Sequence, residues 1–583
     1  MKIKDVELIT GLTQRAIRLY ESKGLLNVSR SSNAYRDYSG ETVEKLKLIK
    51  LLRQAGVGLP DIRLWNDGVI SADELLRKRK RELCRENNVF SQQSMLCDRL
   101  IAYVQDGMRP GEWPEDSGRV DEAGAAQEDL SGMALSLGID IGTTTISAVV
   151  LNLTARTQAD AYTLFNDSQV DTGEDYRREQ DAELLAGKVE RLVASILKSY
   201  PSIGSIGFTG QMHGIVYIDR QGRAVSNLIT WQDERANQPA PSGQTYCREM
   251  EERTGRSIAA GYGLATHYTN LKTGLVPHGA VTLCTIMDYA VMRLTGRAKP
   301  LIHASNASSF GFYDAGQGGF DAAALAALGV DAAFLPEVTG DCAAAGQFQG
   351  IPVTVALGDN QASFLGSVRD EGKSVLVNYG TGSQVSMVTR HTAHEAPLEL
   401  RPYTQGRYLL SGSALCGGRA YALLERFFRA YIEACGGEAK SQYEVMNRLA
   451  EETRRTGATL RVKTTFCGTR QEPSLRGSMA DIGEENFTPG QMIAGVLDGM
   501  AEELYDMYRA AGSGRAQILV ASGNAVQKNP VLREILADKF GMALKIPRFK
   551  EEAALGAALF SALAAGQIAC MEEGKACIAY EGE

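Results

Sequence analysis

The feature that most constrains how this chain folds is a short glycine and threonine turn that occurs twice, each time between two apolar runs. The first copy, Leu137 to Val149, reads LGIDIGTTTISAV, and the second, Val375 to Val388, reads VLVNYGTGSQVSMV. Apolar runs that reverse direction at a glycine-containing turn predict β-hairpins. Two such hairpins, far apart in the chain, predict two related lobes that each present one turn to a ligand between them.

The residues of these turns suit phosphate groups. Glycine lets the backbone approach a ligand closely, and threonine hydroxyls can bond to phosphate oxygens. An ordinary hairpin whose threonines reflect β-propensity explains a single copy equally well, and the second copy favours phosphate binding. Asp140 would face the first turn, where a carboxylate is suited to magnesium. The predicted phosphate-binding residues are Gly142, Thr143, Thr144, Gly380, Thr381 and Gly382.

Length and composition indicate a multidomain globular protein. At 583 residues the chain is too long for one core. No apolar run approaches the roughly 20 residues needed to cross a bilayer, and the N-terminus lacks the apolar core of a signal peptide. We therefore expect a cytoplasmic protein with no membrane partner. The ten cysteines show no metal-binding spacing, which favours reduced thiols.

The first 110 residues differ in charge from the remainder. They carry 20 basic and 14 acidic residues, a net +6, whereas the rest carries 42 and 56, a net −14. Two short helices separated by a Gly11-containing turn, with Arg15 and Arg18 on the second, are typical of a helix-turn-helix unit. Thr13 is a predicted cap of the second helix. A polar loop ending in Tyr35-Arg36-Asp37-Tyr38 would form a wing.

This ordered set resembles the MerR family of DNA-binding domains over about 70 residues. The family pattern TxRxIRxYExxGLL, followed by a YRxY wing, is matched from Thr13 to Tyr38. The resemblance implies DNA as a partner. By that resemblance, the predicted DNA-binding residues are Thr13, Arg15, Arg18, Tyr20, Tyr35, Arg36 and Tyr38.

Residues 71–107 have a helical pattern, and in the MerR family such a helix pairs with its twofold mate, so a homodimer is expected. The basic run RKRKR at residues 77–81 leaves open a solvated or DNA-facing surface instead. Residues 108–133 begin with a stretch rich in glycine, proline, alanine and acidic residues and are predicted to be a linker.

Two polar loops follow buried-type strands farther along the chain. Gln211, Met212 and His213 follow the strand predicted at residues 203–208, and Asp359 and Asn360 follow the one at residues 353–358. Open α/β sheets place ligand groups at such positions. An aspartate there could accept the proton of a sugar hydroxyl during phosphoryl transfer, although it could also only cap the next helix. A lone histidine such as His213 is more often structural.

A third loop, beginning Ser522-Gly523-Asn524 and reaching Asn529, lies between a strand and a helix and suits adenine and ribose packed against backbone. The stripe of Ile493, Val496, Met500 and Leu504 has helical spacing and is predicted to be core.

Together these motifs resemble the FGGY family of carbohydrate kinases over nearly all of residues 134–566. That family has an α/β fold with two actin-like (ribonuclease H-like) ATPase lobes, here preceded by an all-α winged helix-turn-helix domain. The implied domains are a head (1–70), a dimerisation helix (71–107), a linker (108–133), an N-terminal lobe (134–372) and a C-terminal lobe (373–583). GQMHG and Trp231-Gln232-Asp233 look like the xylulokinase and sedoheptulokinase branches, and further stretches look most like sedoheptulokinase.

The resemblance assigns a role to each motif. Asp359 would be the catalytic base, and Asp140, the second catalytic residue, would position magnesium and the γ-phosphate. ATP and Mg²⁺ are the implied cofactors. Residues implied to face the sugar are Gln211, Met212, His213, Trp231, Asp233 and Asn360; those implied to line the adenosine site are Gly523, Asn524 and Asn529.

The sequence thus predicts ATP-dependent phosphorylation of a ketose primary hydroxyl, most specifically that of sedoheptulose, in a chain with a DNA-binding head. A xylulokinase, or a transcription regulator whose kinase-like body only senses sugar, remains the alternative. The retained phosphate turns favour an enzyme, because sugar binding alone has no need for them.

Overall fold

A computed structural model describes residues 1–26, 28–30, 36–85, 97, 100–101, 132–391, 398–438, 440–456, 460–469, 472, 474–512 and 516–583. Most of the predicted linker at 108–133 and part of the predicted dimerisation helix at 71–107 lie outside these residues. The nine described cysteine side chains are free thiols.

The N-terminal head is a helical unit with a two-stranded wing. Thr13 caps the second helix as predicted, since its Oγ1 accepts a hydrogen bond from the Ala16 N–H at 3.2 Å. An apolar stripe on the third helix, which includes Val43 and Leu46, is buried and closes the core. The elements are α1 (Ile3–Thr10), α2 (Gln14–Ser22), β1 (Ser29–Arg30), β2 (Arg36–Asp37), α3 (Gly40–Gln54), α4 (Leu59–Asn66) and α5 (Ala72–Arg85).

The first lobe is built on a seven-stranded sheet. The predicted hairpin is present as β3 (Leu135–Ile141) and β4 (Thr145–Asn152). The sheet order is β16, β17, β8, β3, β4, β5, and β18 also pairs with β8. The strand predicted at residues 353–358 is in fact two strands, β17 and β18, which pair separately with β8 at Ile206 and at Thr209.

The remaining strands of the first lobe are β5 (Thr157–Phe165), β6 (Gln169–Val170), β7 (Glu179–Gln180), β8 (Ile203–Gly210), β9 (Val216–Ile218), β10 (Leu228–Ile229), β11 (Thr282–Cys284), β12 (Leu301–His303), β13 (Tyr313–Asp314), β14 (Gly319–Phe320), β15 (Glu337–Thr339), β16 (Ala344–Phe348), β17 (Ile351–Thr354) and β18 (Leu357–Gly358). Its helices are α6 (Ala182–Ser199), α7 (Tyr246–Thr254), α8 (Gly263–Thr273), α9 (Ile286–Thr295), α10 (Ala304–Ser309), α11 (Ala322–Leu328) and α12 (Asp359–Ser367), with 3₁₀ turns at Arg235–Asn237 and Ala332–Phe334.

The second lobe repeats the strand plan of the first. Its sheet order is β21, β22, β20, β19, β25, β26, in which the hairpin β19 (Ser374–Tyr379) and β20 (Ser383–Thr389) corresponds to β3 and β4. In both sheets the first hairpin strand also pairs in parallel with a later strand, β8 or β25. The relation between lobes that the repeated turn predicted is therefore present in the topology.

The other strands of the second half are β21 (Glu399–Pro402), β22 (Tyr408–Ala414), β23 (Arg461–Lys463), β24 (Ser478–Ala480), β25 (Ile518–Ser522) and β26 (Ala543–Lys545). Its helices are α13 (Gly418–Ala434), α14 (Tyr443–Thr456), α15 (Pro489–Ala510), α16 (Asn524–Lys528), α17 (Pro530–Phe540), α18 (Glu552–Ala564) and α19 (Met571–Lys575). The stripe predicted to be core lies on α15 and is buried.

Helix α18 returns to the first lobe. The implied division at residues 372/373 assigns it to the second lobe, whereas it packs on β3, β8 and α12. Gly138 permits this approach, because a Cβ there would lie 1.9 Å from the Ala554 carbonyl oxygen. The close contact brings the first residues of α18 beside the first turn.

The head packs directly on the first lobe. Its apolar core and that of the lobe form one continuous cluster, and α4 lies against β5. Two polar contacts join it to α6: Lys188 Nζ lies 2.9 Å from Glu74 Oε1, and Ser195 Oγ donates to Asp67 Oδ2 at 2.5 Å. The head is thus attached by an interface as well as by the chain connection.

Candidate active site

Two half-buried aspartates lie close together in the first lobe. Asp140 is near the end of β3, and Asp359 is the first residue of α12. Burial raises the pKa of Asp140 to about 7, and the negative charges of Asp359 and Glu551 add to this shift. Burial also raises the pKa of Asp359 to about 6, against the lowering effects of Arg401 and of the Asn360 N–H. Carboxyls in such surroundings are poised to exchange protons near neutral pH.

The side chain of Asp359 is not a helix cap. Gly358 occupies the capping position of α12, and Asp359 Oδ1 has no hydrogen-bond partner among the described residues. A buried carboxylate oxygen without a partner is costly, so its presence favours a ligand role over a structural one.

The first turn is held by residues that were predicted to bind sugar. Thr143 Oγ1 donates to Gln211 Oε1 at 3.3 Å and accepts from Trp231 Nε1 at 3.0 Å. The Asn166 side chain donates to the Gly142 carbonyl, and its backbone N–H donates to that of Thr144. Gln211 and Trp231 therefore contact the turn itself, although the Trp231 indole remains 47% exposed and accessible to a ligand.

Met212, His213 and Asn360 lie beside Asp359. Asn360 Nδ2 is 3.7 Å from Met212 Sδ, and His213 Nδ1 is 2.7 Å from the Ser309 carbonyl oxygen. His213 has a positive φ of 73°, which is uncommon for a residue with a side chain, and its ring lies 4.4 Å from that of Tyr262. Strained residues of this kind occur preferentially at ligand sites.

Asp233 does not face the sugar pocket as predicted. It is fully buried, and its two oxygens accept hydrogen bonds from the Arg235 guanidinium, the Arg235 N–H and the Arg178 N–H. Arg235 also contacts Glu179 and Asn270. These bonds use the acceptor capacity of the carboxylate, so Asp233 stabilises the loop that carries Trp231.

The second turn opens onto a cavity of about 1060 Å³ in the second lobe. Of the predicted nucleotide residues, Gly380, Thr381, Asn524 and Asn529 line it. Asn529 also caps α17, and its Nδ2 donates to Asn447 Oδ1 at 3.1 Å. The sequence did not reveal that α13 and α14 form the opposite wall, which includes Arg419, Tyr421, Glu425, Tyr443 and Asn447.

Two predicted glycines shape this cavity from behind. Gly523 has φ 92°, and a Cβ there would lie 2.5 Å from the Tyr379 carbonyl oxygen. A Cβ on Gly382 would lie 2.8 Å from the Ala414 carbonyl oxygen. Glycine is therefore required at both positions for close backbone packing next to the second turn.

Within the described residues, no cluster of three or more His, Cys, Asp and Glu side chains could hold a metal ion. This fits magnesium if phosphate oxygens and water supply most of its ligands, because Mg²⁺ is commonly held by only one or two carboxylates. Asp140 is the carboxylate placed for that role beside the first turn.

The predicted DNA-binding residues divide into two sets. Arg15, Arg18 and Arg36 are exposed, and Arg36 Nε pairs with Glu21 at 2.6 Å. Tyr20 and Tyr38, by contrast, are fully buried in the head, so the prediction that they contact DNA is wrong. Their rings pack the wing and α2 together. Tyr35 lies outside the described residues.

The basic run on α5 is largely neutralised by neighbouring acids. Arg77 pairs with Asp73 at 2.7 Å, and Lys78 pairs with Asp61 at 2.6 Å. These pairs favour a solvated surface over a DNA-facing one for this part of the run.

Family models match nearly the whole described chain. Residues 135–366 match the N-terminal domain of the FGGY family of carbohydrate kinases, residues 375–565 match its C-terminal domain, and residues 1–67 match the MerR HTH family of regulatory proteins. The chain therefore belongs to the FGGY family of carbohydrate kinases and carries a MerR helix-turn-helix head.

Individual relatives agree with this class. The chain is 26% identical to sedoheptulokinase of Homo sapiens in an alignment of 477 positions, which covers 74% of this chain and 98% of the relative. It is 28% identical to glycerol kinase of Trichlorobacter lovleyi over 466 residues, covering 74% of this chain and 90% of that protein. No helix in the described part of the chain is both long and apolar enough to cross a membrane.

Solved structures show the same fold. Xylulose kinase from Lactobacillus acidophilus superposes with a TM-score of 0.66 at 17% identity, over 77% of this chain and 93% of that one. Glycerol kinase from Plasmodium falciparum with ADP gives 0.63 at 17% identity, over 76% and 92%. The two-lobed actin-like kinase fold that the motifs implied is confirmed.

Proposed function

We propose that this protein transfers the γ-phosphoryl group of ATP to the primary hydroxyl of a ketose, most specifically sedoheptulose, and that its head binds DNA. The observation that carries the kinase proposal is the pair of half-buried aspartates next to the first turn, one of which has a buried oxygen without a partner among the described residues. The glycine and threonine turn beside them suits phosphate, for which a protein that only sensed sugar would have no use. Similarity to a sedoheptulokinase supports the choice of ketose, and xylulose is the alternative.

In the proposed reaction, Asp359 Oδ1 accepts the proton of the ketose hydroxyl as that oxygen bonds to the γ-phosphorus and the bond to ADP breaks. The two turns donate hydrogen bonds to the phosphate oxygens, which stabilises the transferring group. Adenosine occupies the cavity beside Asn524 and Asn529. Closure of the lobes excludes water, which would otherwise accept the phosphoryl group. Asp140 and the phosphates would hold magnesium, which would supply charge neutralisation.

The test is a panel of ketoses with ATP and magnesium, in which ADP release is measured. The panel contains pentuloses, hexuloses and heptuloses, with glycerol and gluconate for comparison because kinases of these compounds are similar in sequence or fold. We expect the highest kcat/KM with sedoheptulose. A higher kcat/KM with xylulose would make xylulose the proposed substrate. If no compound stimulated ADP release, the kinase proposal would be refuted.

A second function, DNA binding that responds to the kinase ligands, is favoured by the contacts between the head and the first lobe. Lys188 Nζ is buried between Glu74 of the head and Asp167 of the lobe, at 2.9 and 2.5 Å. Asp167 follows Asn166, whose side chain bonds to the Gly142 carbonyl of the first turn at 2.9 Å. A ligand that shifts this turn therefore acts on residues that hold the head.

The proposal requires that the ligands bind the two head arrangements with different affinity, because a ligand without such a difference shifts no equilibrium. Affinity for a duplex pool of random sequence would be measured by fluorescence anisotropy with and without ketose and a non-hydrolysable ATP analogue. We expect the ligands to change the affinity of the wild type and not that of Lys188→Met. The matched control is Lys373→Met, which removes an exposed lysine paired with Asp370. An affinity that the ligands leave unchanged in the wild type would refute the coupling.

A further inference from the structure

Arg401 is a buried arginine beside the proposed catalytic base, and no sequence motif pointed to it. It lies on β21 in the sheet of the second lobe, and its side chain is only 6% exposed. Its Nε and Nη2 both donate to Glu399 Oε2, at 3.2 and 2.7 Å. Its Nη1 has no hydrogen-bond partner in the part of the chain that the structure describes.

A buried guanidinium N–H without a partner is unfavourable, because arginine stays charged and its donors need acceptors. Asp359 Oδ1, a buried acceptor, is also without a partner among the described residues. The two groups interact electrostatically, since Arg401 lowers the pKa of Asp359 against the larger raising effect of burial. They are nevertheless not bonded to each other.

The two elements that carry these groups are fixed relative to each other. Gln361 on α12 donates its Nε2 hydrogen to the carbonyl of Pro402, the residue after Arg401, at 2.9 Å. Arg401 also interacts electrostatically with Tyr262, which packs against His213 in the predicted sugar pocket. The unpartnered donor and acceptor therefore lie on two elements that this hydrogen bond holds together, and a ligand atom that both accepts and donates a hydrogen bond would satisfy both.

A hydroxyl group has this property. We propose that Arg401 Nη1 donates a hydrogen bond to the acceptor hydroxyl of the carbohydrate, whose own proton is directed to Asp359 Oδ1. This rests on the proposed kinase function and adds a substrate-binding residue from the opposite lobe. During transfer the hydroxyl proton moves to Asp359, the oxygen bonds to phosphorus, the electron pair of the broken bond goes to ADP, and Arg401 keeps its protons.

The proposal also explains how the substrate is selected for transfer. Only a carbohydrate that reaches Arg401 across the cleft places its hydroxyl against the base, so Arg401 contributes to orientation as well as affinity. A structural role limited to the ion pair with Glu399 predicts instead that Arg401 makes no distinction between substrates with and without that hydroxyl.

The experiment compares binding of two ligands by calorimetry: the ketose that the wild type phosphorylates fastest and its analogue deoxygenated at the acceptor carbon. A hydrogen bond from a charged donor corresponds to a preference of about 10- to 100-fold. We expect this preference to fall by about tenfold in Arg401→Met and to persist in Glu399→Gln, which removes the ion pair and keeps the arginine. Comparing these two single variants with both ligands separates the contact from general effects on folding.

A second readout is the pH profile of kcat/KM. Charged groups near Asp359 are Arg401 on β21, Asp140 on β3 and, next to Asp140, Glu551 and Glu552 at the start of α18. Arg401 lowers the pKa of Asp359, so loss of its charge in Arg401→Met should move the acidic limb of the profile to higher pH. Arg401→Lys keeps the charge, so its acidic limb should stay at the wild-type pH. If Arg401→Met does not fold, Arg401→Gln, which removes the charge and shortens the side chain, is compared with the wild type by its ligand preference.

An unchanged ligand preference in Arg401→Met, or in Arg401→Gln if that variant has to serve, would overturn the Arg401 proposal and leave the kinase proposal intact. A panel in which the wild type phosphorylates nothing would overturn both.

Discussion

Replacement of Asp359 by asparagine should reduce activity and increase stability at the same time. Loss of a general base costs about 10² to 10⁴ in rate. Asparagine preserves the shape and removes the negative charge from a half-buried position next to Asp140. ATP affinity should change little, because the adenosine cavity lies in the second lobe.

The increase in stability follows from the pKa. Burial raises the pKa of Asp359 from 3.8 to about 6. The folded protein therefore binds this proton more tightly than the unfolded chain does, and the stability that it contributes is lost as the pH rises from about 4 to about 6. One pKa unit corresponds to about 1.4 kcal/mol, so the ionised carboxylate destabilises the ligand-free protein at neutral pH by about 3 kcal/mol.

The assay measures the Tm of the ligand-free wild type and of Asp359→Asn between pH 4 and 8. The kcat of both proteins is measured separately. The variant should have the higher Tm at pH 7, and the difference should shrink towards pH 4. Asp341→Asn, at an exposed position, is the control. Near-normal kcat in Asp359→Asn would remove Asp359 from the mechanism, and a Tm difference independent of pH would refute the reasoning about its burial.

Three further predictions concern other parts of the molecule. Gly523→Ala should lower stability by about 1 to 3 kcal/mol and weaken ADP binding in calorimetry, because the added Cβ would collide with the Tyr379 carbonyl. The control is Gly512→Ala, which should keep its ADP affinity, because Gly512 also has a positive φ and no atom lies within 4 Å of the added Cβ. Burial raises the pKa of Glu552 to about 8, so the wild type should lose stability as the pH rises from about 4.5 to 8. Glu552→Gln should not show this loss in chemical unfolding. Arg15→Ala should weaken DNA binding and reduce its salt dependence by about one ion, whereas Arg77→Ala should not, if α5 is a solvated surface.

The parts of the fold that the sequence predicted well are those determined by neighbouring residues. A hairpin is set by a turn and two apolar runs, so β3, β4, β19 and β20 could be located from the sequence. The cap at Thr13 and the buried stripe on α15 are likewise local. The break between β17 and β18 was missed, because each part pairs with a different stretch of β8 and nothing local marks the change.

The site was harder to predict, because a motif identifies residues but does not show which side chains they contact in the folded protein. Arg401 and Glu552 reach the aspartates from distant segments, and only the packing of β21 and α18 on α12 brings them there. Asp233 stands in a motif that also contains Trp231, yet Arg235 two residues later occupies its carboxylate. Tyr20 and Tyr38 match a family pattern, and the same pattern is satisfied whether an aromatic ring contacts DNA or packs the core.

The contacts between head and lobe converge on one helix, and this leads to a last prediction. Besides Lys188, α6 carries Ser195, whose hydroxyl donates to Asp67, the residue that follows α4. Asp67 also faces Arg63, whose Nη1 donates to the carbonyl of Lys23, directly after the proposed DNA-binding helix α2, at 2.8 Å. If α6 moves as a rigid unit, both contacts report the same motion. Ser195→Ala should then abolish the ligand effect on DNA affinity, as Lys188→Met does. A ligand effect in Ser195→Ala that equals the wild-type effect, or that is only partly reduced, would show that the two contacts act independently, which a rigid α6 cannot produce.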